Sequence, residues 1–222
     1  MKFSIKSFLF GAVTCAFILG VSFTPAQAEV FHVESDEGGF TVTFPDTWKV
    51  ITNQKPDDKI TIAGPGKFEF ATCRVRVRQD RRFVIFPAQF DDEIQRLAFS
   101  RKFWDNYVGE YDNVNIDAFK DNSGLGQGHA TMAEVTFDTA EGAIVRKRGL
   151  MFATLYHDHL FVVDCSAEES VYGKWRPTFL SIVKSVSFEP LRDRYRYGHY
   201  RSMDEKDALE VEGPTELDIY KF

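Results

Sequence analysis

The two cysteines that follow residue 28 restrict the fold of this chain more than any other feature. Cys73 lies in the segment TCRVRVRQ, and Cys165 ends the segment HLFVVDC. In both segments apolar residues stand two positions from the cysteine, which predicts two strands with the thiols on their apolar faces. Opposed residues of antiparallel strands lie about 4.5 Å apart at Cα, within the range of a disulfide. The sequence therefore indicates either a long-range disulfide or two separate buried thiols.

The first 28 residues are typical of a secretory signal peptide. Lys2 and Lys6 precede an apolar run over residues 7–23, and the small residues of AQA at 26–28 form a cleavage site. We predict cleavage after Ala28 and a protein of the periplasm or the secreted fraction that is not integral to the membrane after cleavage. Because such compartments are oxidising, the remaining pair of cysteines favours the disulfide.

The charge of the chain argues against one large class of partners. The whole sequence has a net charge of −6, and removing residues 1–28, which carry two lysines and no acids, leaves −8. An acidic protein of this kind repels the phosphate backbone. We expect no nucleic-acid partner.

Alternation of apolar and polar residues predicts a protein rich in strands. A glycine-containing turn joins residues 30–33 and 40–44 as a hairpin, and residues 129–165 have the pattern of a three-stranded meander. The predicted strands are 30–33, 40–44, 48–51, 59–64, 68–80, and about 129–138, 143–156 and 159–165.

Two helices are predicted from the 3.6-residue period. The first covers residues 90–109, with a core-facing set of Ile94, Leu97, Ala98, Trp104 and Val108. The second begins at a capping box formed by Ser166 and Glu169. Pro177 predicts a kink or a late start in this helix, and its apolar face is Val171, Trp175, Phe179, Ile182 and Val186.

This order of elements indicates an α+β protein in which helices flank an antiparallel sheet. The segments FTVTFPDTW (40–48) and HLFVVDCSAEESVYGKWRPTFLSIVKSVSF (159–188) resemble the first strand and the closing strand, linker and helix of the PsbP-like family. The resemblance implies the α/β/α sandwich that this family shares with Mog-like and DcrB-like proteins. It covers about 30–190 and implies a binding or assembly module. We therefore expect one domain over 29–190 and a flexible tail over 191–222.

Some PsbP-like proteins dock on a photosynthetic membrane complex, and Mog-like proteins bind a small GTPase. Nothing in this sequence marks either partner, so the resemblance implies the fold and not a set of functional residues.

The segment HDHLFVVDC has the composition of a metal site but not its geometry. A strand rises about 3.3 Å per residue, so His159 and Cys165 would lie about 20 Å apart, whereas zinc ligands lie about 2.0–2.3 Å from the metal. His157 and His159 remain weak candidates, since two ligands do not make a structural site. We predict a polar hairpin turn here and no metal.

Signatures of catalysis are missing from the sequence. It contains no Gly-x-Ser-x-Gly elbow, no His-Glu-x-x-His pair and no Cys-x-x-Cys dithiol. We predict that the protein is not an enzyme and holds no cofactor.

Two basic groups are candidates for interaction. Arginines alternate along the predicted strand 68–80 and continue just beyond it, where they would bind an anionic group by forked hydrogen bonds or pair with local acids. Arginines and tyrosines interleave in the tail, where they would contact an anionic envelope polymer, lipid headgroups or an acidic protein, or fold back on the acidic domain. The candidates are Arg74, Arg76, Arg78, Arg81 and Arg82, and, in the tail, Arg192, Arg194, Tyr195, Arg196, Tyr197, Tyr200 and Arg201.

These observations lead to one principal functional hypothesis. It is a non-enzymatic exported binding or assembly module that acts through contacts with an envelope protein or an anionic envelope polymer. The alternative is a periplasmic carrier of a small ligand or metal.

Overall fold

The structure is a computed structural model. It describes residues 29–35, 38–53, 55–83, 85–86, 90–126, 128–139, 144–156 and 158–188. The predicted signal peptide and the predicted tail lie outside the described residues, as does His157. Within the described part, no helix is long and apolar enough to cross a membrane.

Most strands of the described part belong to one antiparallel sheet, here called the large sheet, with the order β3-β4-β5-β9-β8-β7-β6. Cross-strand pairing of alternating apolar residues holds it together. The predicted meander is confirmed as β7, β8 and β9. The strands are β3 (Lys49–Ile51), β4 (Asp58–Ala63), β5 (Thr72–Gln79), β6 (Asp112–Leu125), β7 (Gly128–Asp138), β8 (Arg146–Tyr156) and β9 (His159–Glu168).

Three further strands of the described part form a second sheet, here called the small sheet, with the order β1-β2-β10. β1 (Val30–Ser35) and β2 (Phe40–Pro45) form the predicted hairpin. β10 (Ser187–Phe188), which the sequence did not indicate, pairs with the start of β2. The sandwich therefore contains two sheets where one was predicted.

The disulfide between Cys73 and Cys165 is confirmed. The two cysteines are directly opposite each other on β5 and β9, with their Cα atoms 4.0 Å apart. Both are buried among apolar residues that include Val75 and Val163. The bond joins the centre of the large sheet across 92 positions of the chain.

Each face of the large sheet has its own core, because helices cover both faces. On the first face, α3 (Tyr172–Lys184) and the small sheet enclose a core that contains Trp48, Trp175 and Phe179. On the second face, α1 (Asp91–Ala98) and α2 (Arg101–Tyr107) cover a core around Phe99 and Trp104. The predicted α+β fold, an antiparallel sheet flanked by helices, is confirmed.

The predicted start of the last helix is wrong. Ser166 does not cap a helix, because β9 continues to Glu168 and Ser166 pairs with Thr72 and Gly149. A 3-10 turn over Glu169–Val171 then leads into α3. Pro177 lies inside α3, which begins five residues earlier, at Tyr172.

The predicted single helix over 90–109 is also wrong. It is divided between α1 and α2, because Ser100 adopts an extended backbone (ψ 175°). The break places Phe99 in the core with no exposed surface, while Leu97, predicted to face the core, is 75% exposed. Tertiary packing of the larger aromatic side chain overrides the helical period.

β6, like β10, is a strand that the sequence did not indicate. It pairs with β7 along the edge of the large sheet, and its register shifts at three places. Each irregularity turns the following side chains to the other face. The apolar residues therefore do not alternate, and the pattern of a strand is hidden.

Candidate functional site

Two of the predicted interaction residues lie in a buried ion-pair network under α2. Arg74 donates from Nε and Nη2 to Oδ2 of Asp164, at 2.9 and 2.6 Å. Arg76 donates from Nε to Oδ1 of Asp58 at 2.8 Å and from Nη1 to the hydroxyl of Tyr107 at 3.0 Å. The alternation of β5 places both guanidinium groups on the second face of the large sheet, opposite Cys73.

The residues after α2 complete this network. The hydroxyl of Tyr111 accepts a hydrogen bond from Arg74, and Glu110 pairs with Lys55. Glu110 Oε1 also lies 3.7 Å from Nη2 of Arg76. The connection between α2 and β6 is therefore fixed to β5 by charged and phenolic groups.

Asp164 is the central anion of the network and is 3% exposed. Burial alone would raise the pKa of this carboxyl, but the charges of Arg74 and Arg76 outweigh that effect and hold its pKa below the usual value. An external anion would have to displace Asp164 or Asp58 to reach either guanidinium. Arg74 and Arg76 thus differ from a solvated basic face.

Lys147 is the least satisfied cation beside the network. Within the described part of the chain, its Nζ has one weak hydrogen bond, to Thr72 Oγ1 at 3.4 Å. Burial lowers the pKa of Lys147 to about 8, with Asp164 opposing and Arg74 adding to the shift. Lys147 is half-buried, and none of the described carboxylates is in direct contact with its ammonium, so its desolvation costs stability.

The other predicted arginines are exposed at the end of the large sheet where β5 finishes and β9 begins, here called the Gln79 end. The Arg81 side chain is 72% exposed and lies 3.3 Å from the carboxylate of Asp158. The Arg82 side chain is 60% exposed and donates to both carboxylate oxygens of Asp80. These hydrogen bonds hold the pKa of Asp80 below its usual value.

Apolar side chains emerge next to these arginines. Ile85 is 85% exposed, and Phe86 follows it in a turn in which the amide of Phe86 donates to the carbonyl of Phe83. Arg82 lies over the ring of Phe83 at 5.1 Å. Basic and apolar groups therefore occupy one continuous stretch of backbone.

The helix that follows adds an apolar stripe that points away from the core. Phe90, Ile94 and Leu97 recur at helical spacing; Phe90 and Leu97 are 45% and 75% exposed, and Ile94 is half-buried. We call the exposed residues of these two segments the apolar–basic surface, which consists of Arg78, Arg81, Arg82, Ile85, Phe86, Phe90 and Leu97.

Gln95 explains why the stripe faces outward. Its buried amide donates to the carbonyl of Leu155 at 2.7 Å and accepts from the amide of Leu155 at 2.8 Å, as an added strand would. This polar anchor fixes the inward face of α1, so that the opposite flank carries Leu97. The spacing of Phe90, Ile94 and Leu97 was visible in the sequence, but the direction of the stripe was not.

Of the remaining predicted positions, His159 lies at the Gln79 end, where it pairs with Gln79 of β5. His159 begins β9 and lies 2.8 Å from Asp158, measured from Nδ1 to Oδ1. His157 and the tail residues 192–201 are outside the described part of the chain. Among the residues that the structure describes, no group of three or more His, Cys, Asp and Glu side chains is placed to hold a metal ion.

Comparisons with known proteins give structural matches only. No protein-family model and no curated protein sequence matches the chain. The cyanobacterial PsbP protein of Synechocystis sp. PCC 6803 is 9% identical, with a TM-score of 0.49 over 77% of this chain and 98% of that one. LpqN of Mycobacterium tuberculosis, a protein involved in cell envelope biogenesis, is 11% identical, with a TM-score of 0.44 over 74% of this chain and 92% of that one.

The Ran-binding protein Mog1p of Saccharomyces cerevisiae is 9% identical, with a TM-score of 0.45 over 73% of this chain and 96% of that one. PsbP-like and Mog-like structures, the groups named from the sequence, are thus among the matches. At these identities and scores we take no function, partner or site residue from them.

Proposed function

We propose that the protein is a non-enzymatic exported binding or assembly module that docks on an envelope protein through the apolar–basic surface. The outward position of the apolar stripe on α1 is the observation that carries this proposal. Large apolar side chains contribute about 1.5–3 kcal/mol each when they pass from water into an apolar contact. Grouped exposed apolar residues with a polar rim mark interaction sites.

The charges around the stripe define the partner further. Arg81 and Arg82 are mostly exposed although each has an acidic neighbour in its own chain. A partner with acidic residues around an apolar patch would be attracted to this rim and would cover Ile85 and Leu97. Such a protein is the occupant that fits the surface.

The support beneath the surface favours binding without rearrangement. Gln95 fixes α1 to the end of β8, and the disulfide fixes β5 to β9. A surface that is already ordered loses little conformational entropy on association.

The tail belongs to the same proposal. Arg192, Arg194, Arg196 and Arg201 alternate with Tyr195, Tyr197 and Tyr200, and we propose that they add contacts to an acidic partner or an anionic envelope polymer. The chain leaves the small sheet at Phe188, whose ring lies 4.9 Å from that of Tyr156 at the end of β8. Tyr156 pairs with His159, and His159 pairs with Gln79, so the last described residue lies beside the Gln79 end, which supports this proposal.

A photo-crosslinking amino acid placed at Phe86 or at Leu97 tests the docking surface in cells. The matched control is the same substitution at Ile144, which is 82% exposed and lies at the opposite end of β8. We expect a defined protein adduct from positions 86 and 97 and none from 144. The same adducts from all three positions, or none from 86 and 97, would overturn the proposal.

A charge in the stripe gives an independent test. Leu97→Asp should abolish the adduct formed from position 86, because it places a carboxylate in the apolar contact. Its thermal unfolding should match that of the unmodified protein, since Leu97 is exposed.

Export is tested separately. N-terminal sequencing of protein from the periplasmic or secreted fraction should begin at Glu29. An unprocessed N-terminus on the cytoplasmic side would refute this part of the proposal.

A further inference from the structure

β1 forms an edge of the small sheet that differs from the other sheet edges of the described part. It pairs with β2 over six residues without a register shift. By contrast, β10 has two residues, β3 has three, and β6 has three register irregularities. Short and irregular edges resist the addition of another strand, whereas a regular one of this length is a template for it.

The backbone groups that β1 turns outward follow from its pairing with β2. The carbonyl of Glu29 accepts a hydrogen bond from the amide of Asp46 at 3.1 Å. The carbonyl of Ser35 accepts one from the amide of Gly39 at 2.7 Å. Residues two apart in a strand direct their amides and carbonyls to the same side. The odd-numbered residues therefore face β2, and Val30, His32 and Glu34 direct theirs outward.

Apolar side chains stand uncovered along the same strand. Val30 is 61% exposed, and Phe31 is 53% exposed although its ring lies 5.9 Å from that of the buried Phe44. Val33 is only partly buried against the core. The inner face of the hairpin thus remains incomplete at its outer edge.

We propose that a second copy of this chain completes the edge, with the two β1 strands antiparallel about a two-fold axis at His32. In this register Phe31 lies opposite Val33 of the second copy, and Val33 lies opposite Phe31 of the second copy. Val30 lies opposite Glu34 of the second copy, and His32 lies opposite itself. Both small sheets then form one continuous six-stranded sheet.

Self-complementarity favours this occupant and this register. A C2 contact requires the same patch on both subunits, and β1 supplies an apolar residue opposite an apolar residue twice on the inner face. An axis at His32 pairs the strand over its full length. The residues whose amides and carbonyls point outward, at 30, 32 and 34, are then arranged symmetrically about the axis. An axis at Val33 would oppose Phe31 to Ser35 and leave Val30 unpaired.

Cysteine substitution reads out the register. In the exported chain the native cysteines are joined to each other, so an introduced thiol is the one free to react. Opposed residues of a hydrogen-bonded pair lie about 5.5 Å apart at Cα, within disulfide range. His32→Cys should therefore give a disulfide-linked dimer under mild oxidation.

Val30→Cys and Glu34→Cys are the matched controls. Their copies would lie about four residues apart along the strands, roughly 13 Å, which is beyond disulfide range. Equal cross-linking at 30, 32 and 34, or cross-linking at Val33→Cys instead of His32→Cys, would overturn the proposed register.

Sedimentation of the exported chain measures the association itself. His32→Pro removes the outward amide from both copies while the pairing with β2 needs none at this position. The loss of two hydrogen bonds should raise the dimer dissociation constant at least about tenfold, whereas His32→Ala, which keeps the amide, should raise it less. A chain that sediments as a monomer at every concentration would refute the proposal, whether or not the apolar–basic surface binds its partner.

Discussion

Replacing Lys147 by methionine should stabilise the protein, and the size of the effect should depend on pH in a defined window. Methionine has a similar length and an apolar end, so it fills the space of the lysine side chain without a buried charge. Among the described residues no carboxylate is in direct contact with Lys147, and Thr72 accepts a weak hydrogen bond from it. The ammonium is therefore a net cost to the folded state.

The magnitude follows from the shift of the pKa of Lys147 from 10.5 to about 8. One pKa unit corresponds to about 1.4 kcal/mol, so the shift corresponds to about 3 kcal/mol. Between pH 8 and pH 10.5 the unfolded chain binds a proton that the folded chain does not. The free energy of unfolding contributed by Lys147 therefore rises with pH across this window, and the cost is fully present below pH 8.

Denaturant unfolding at a series of pH values, with the disulfide intact, measures this dependence. At pH 7 Lys147→Met should be more stable by about 3 kcal/mol, and the difference should disappear by about pH 10.5. Taking the difference between the two proteins removes the titration of the tyrosines, which both share.

The control is Lys102→Met on the exposed side of α2, which should change the free energy of unfolding by about 0.5 kcal/mol or less. A Lys147→Met protein that is less stable at pH 7, or whose advantage stays constant from pH 8 to pH 10.5, would refute the reasoning.

Three other predictions concern the scaffold and the tail. Replacing both Cys73 and Cys165 by serine opens a link across 92 positions, and guanidinium unfolding should show a loss of about 4–5 kcal/mol; an unchanged midpoint would contradict the entropic account. Gln95→Leu leaves the amide and carbonyl of Leu155 without their partner, so it should cost about 2–4 kcal/mol and accelerate amide exchange at Leu155. Deleting residues 191–222 should weaken cross-linking to the partner while leaving thermal unfolding unchanged, and undiminished cross-linking would exclude a role of the tail.

The strands at the centre of the large sheet were predictable because their apolar residues follow either a regular alternation or a continuous run. On β5, Cys73 and the valines that follow it alternate with arginines, whereas on β9 Phe161, Val162 and Val163 form a continuous apolar run that is buried on both faces. Where both patterns fail, prediction fails with them. β6 contains Asp112, Asp117 and Asp121 on an edge with three register shifts, and no period marks its apolar residues.

The candidate site was only partly visible in the sequence for a different reason. The spacing of Phe90, Ile94 and Leu97 shows that these residues share one face of a helix. It does not show whether that face packs on the sheet or is exposed to solvent. Here that choice depends on Gln95, a polar residue that a search for apolar periodicity passes over, and on Phe99, which leaves the helix to enter the core. Both effects are long-range.

β5 shows how one repeated pattern gives rise to two environments. Arg74 and Arg76 lie under the connection from α2 to β6, where Asp164 and Asp58 neutralise them, whereas Arg78 stands two residues further along the same face and is exposed. Two successive arginines on the same face of β5 therefore differ in environment: Arg76 is part of the buried network, and Arg78 is part of the apolar–basic surface. Removing one partner of a buried ion pair costs about 3–5 kcal/mol of stability. The pairs made by Arg74 and Arg76 therefore fix the position of β5, and with it the position of Arg78.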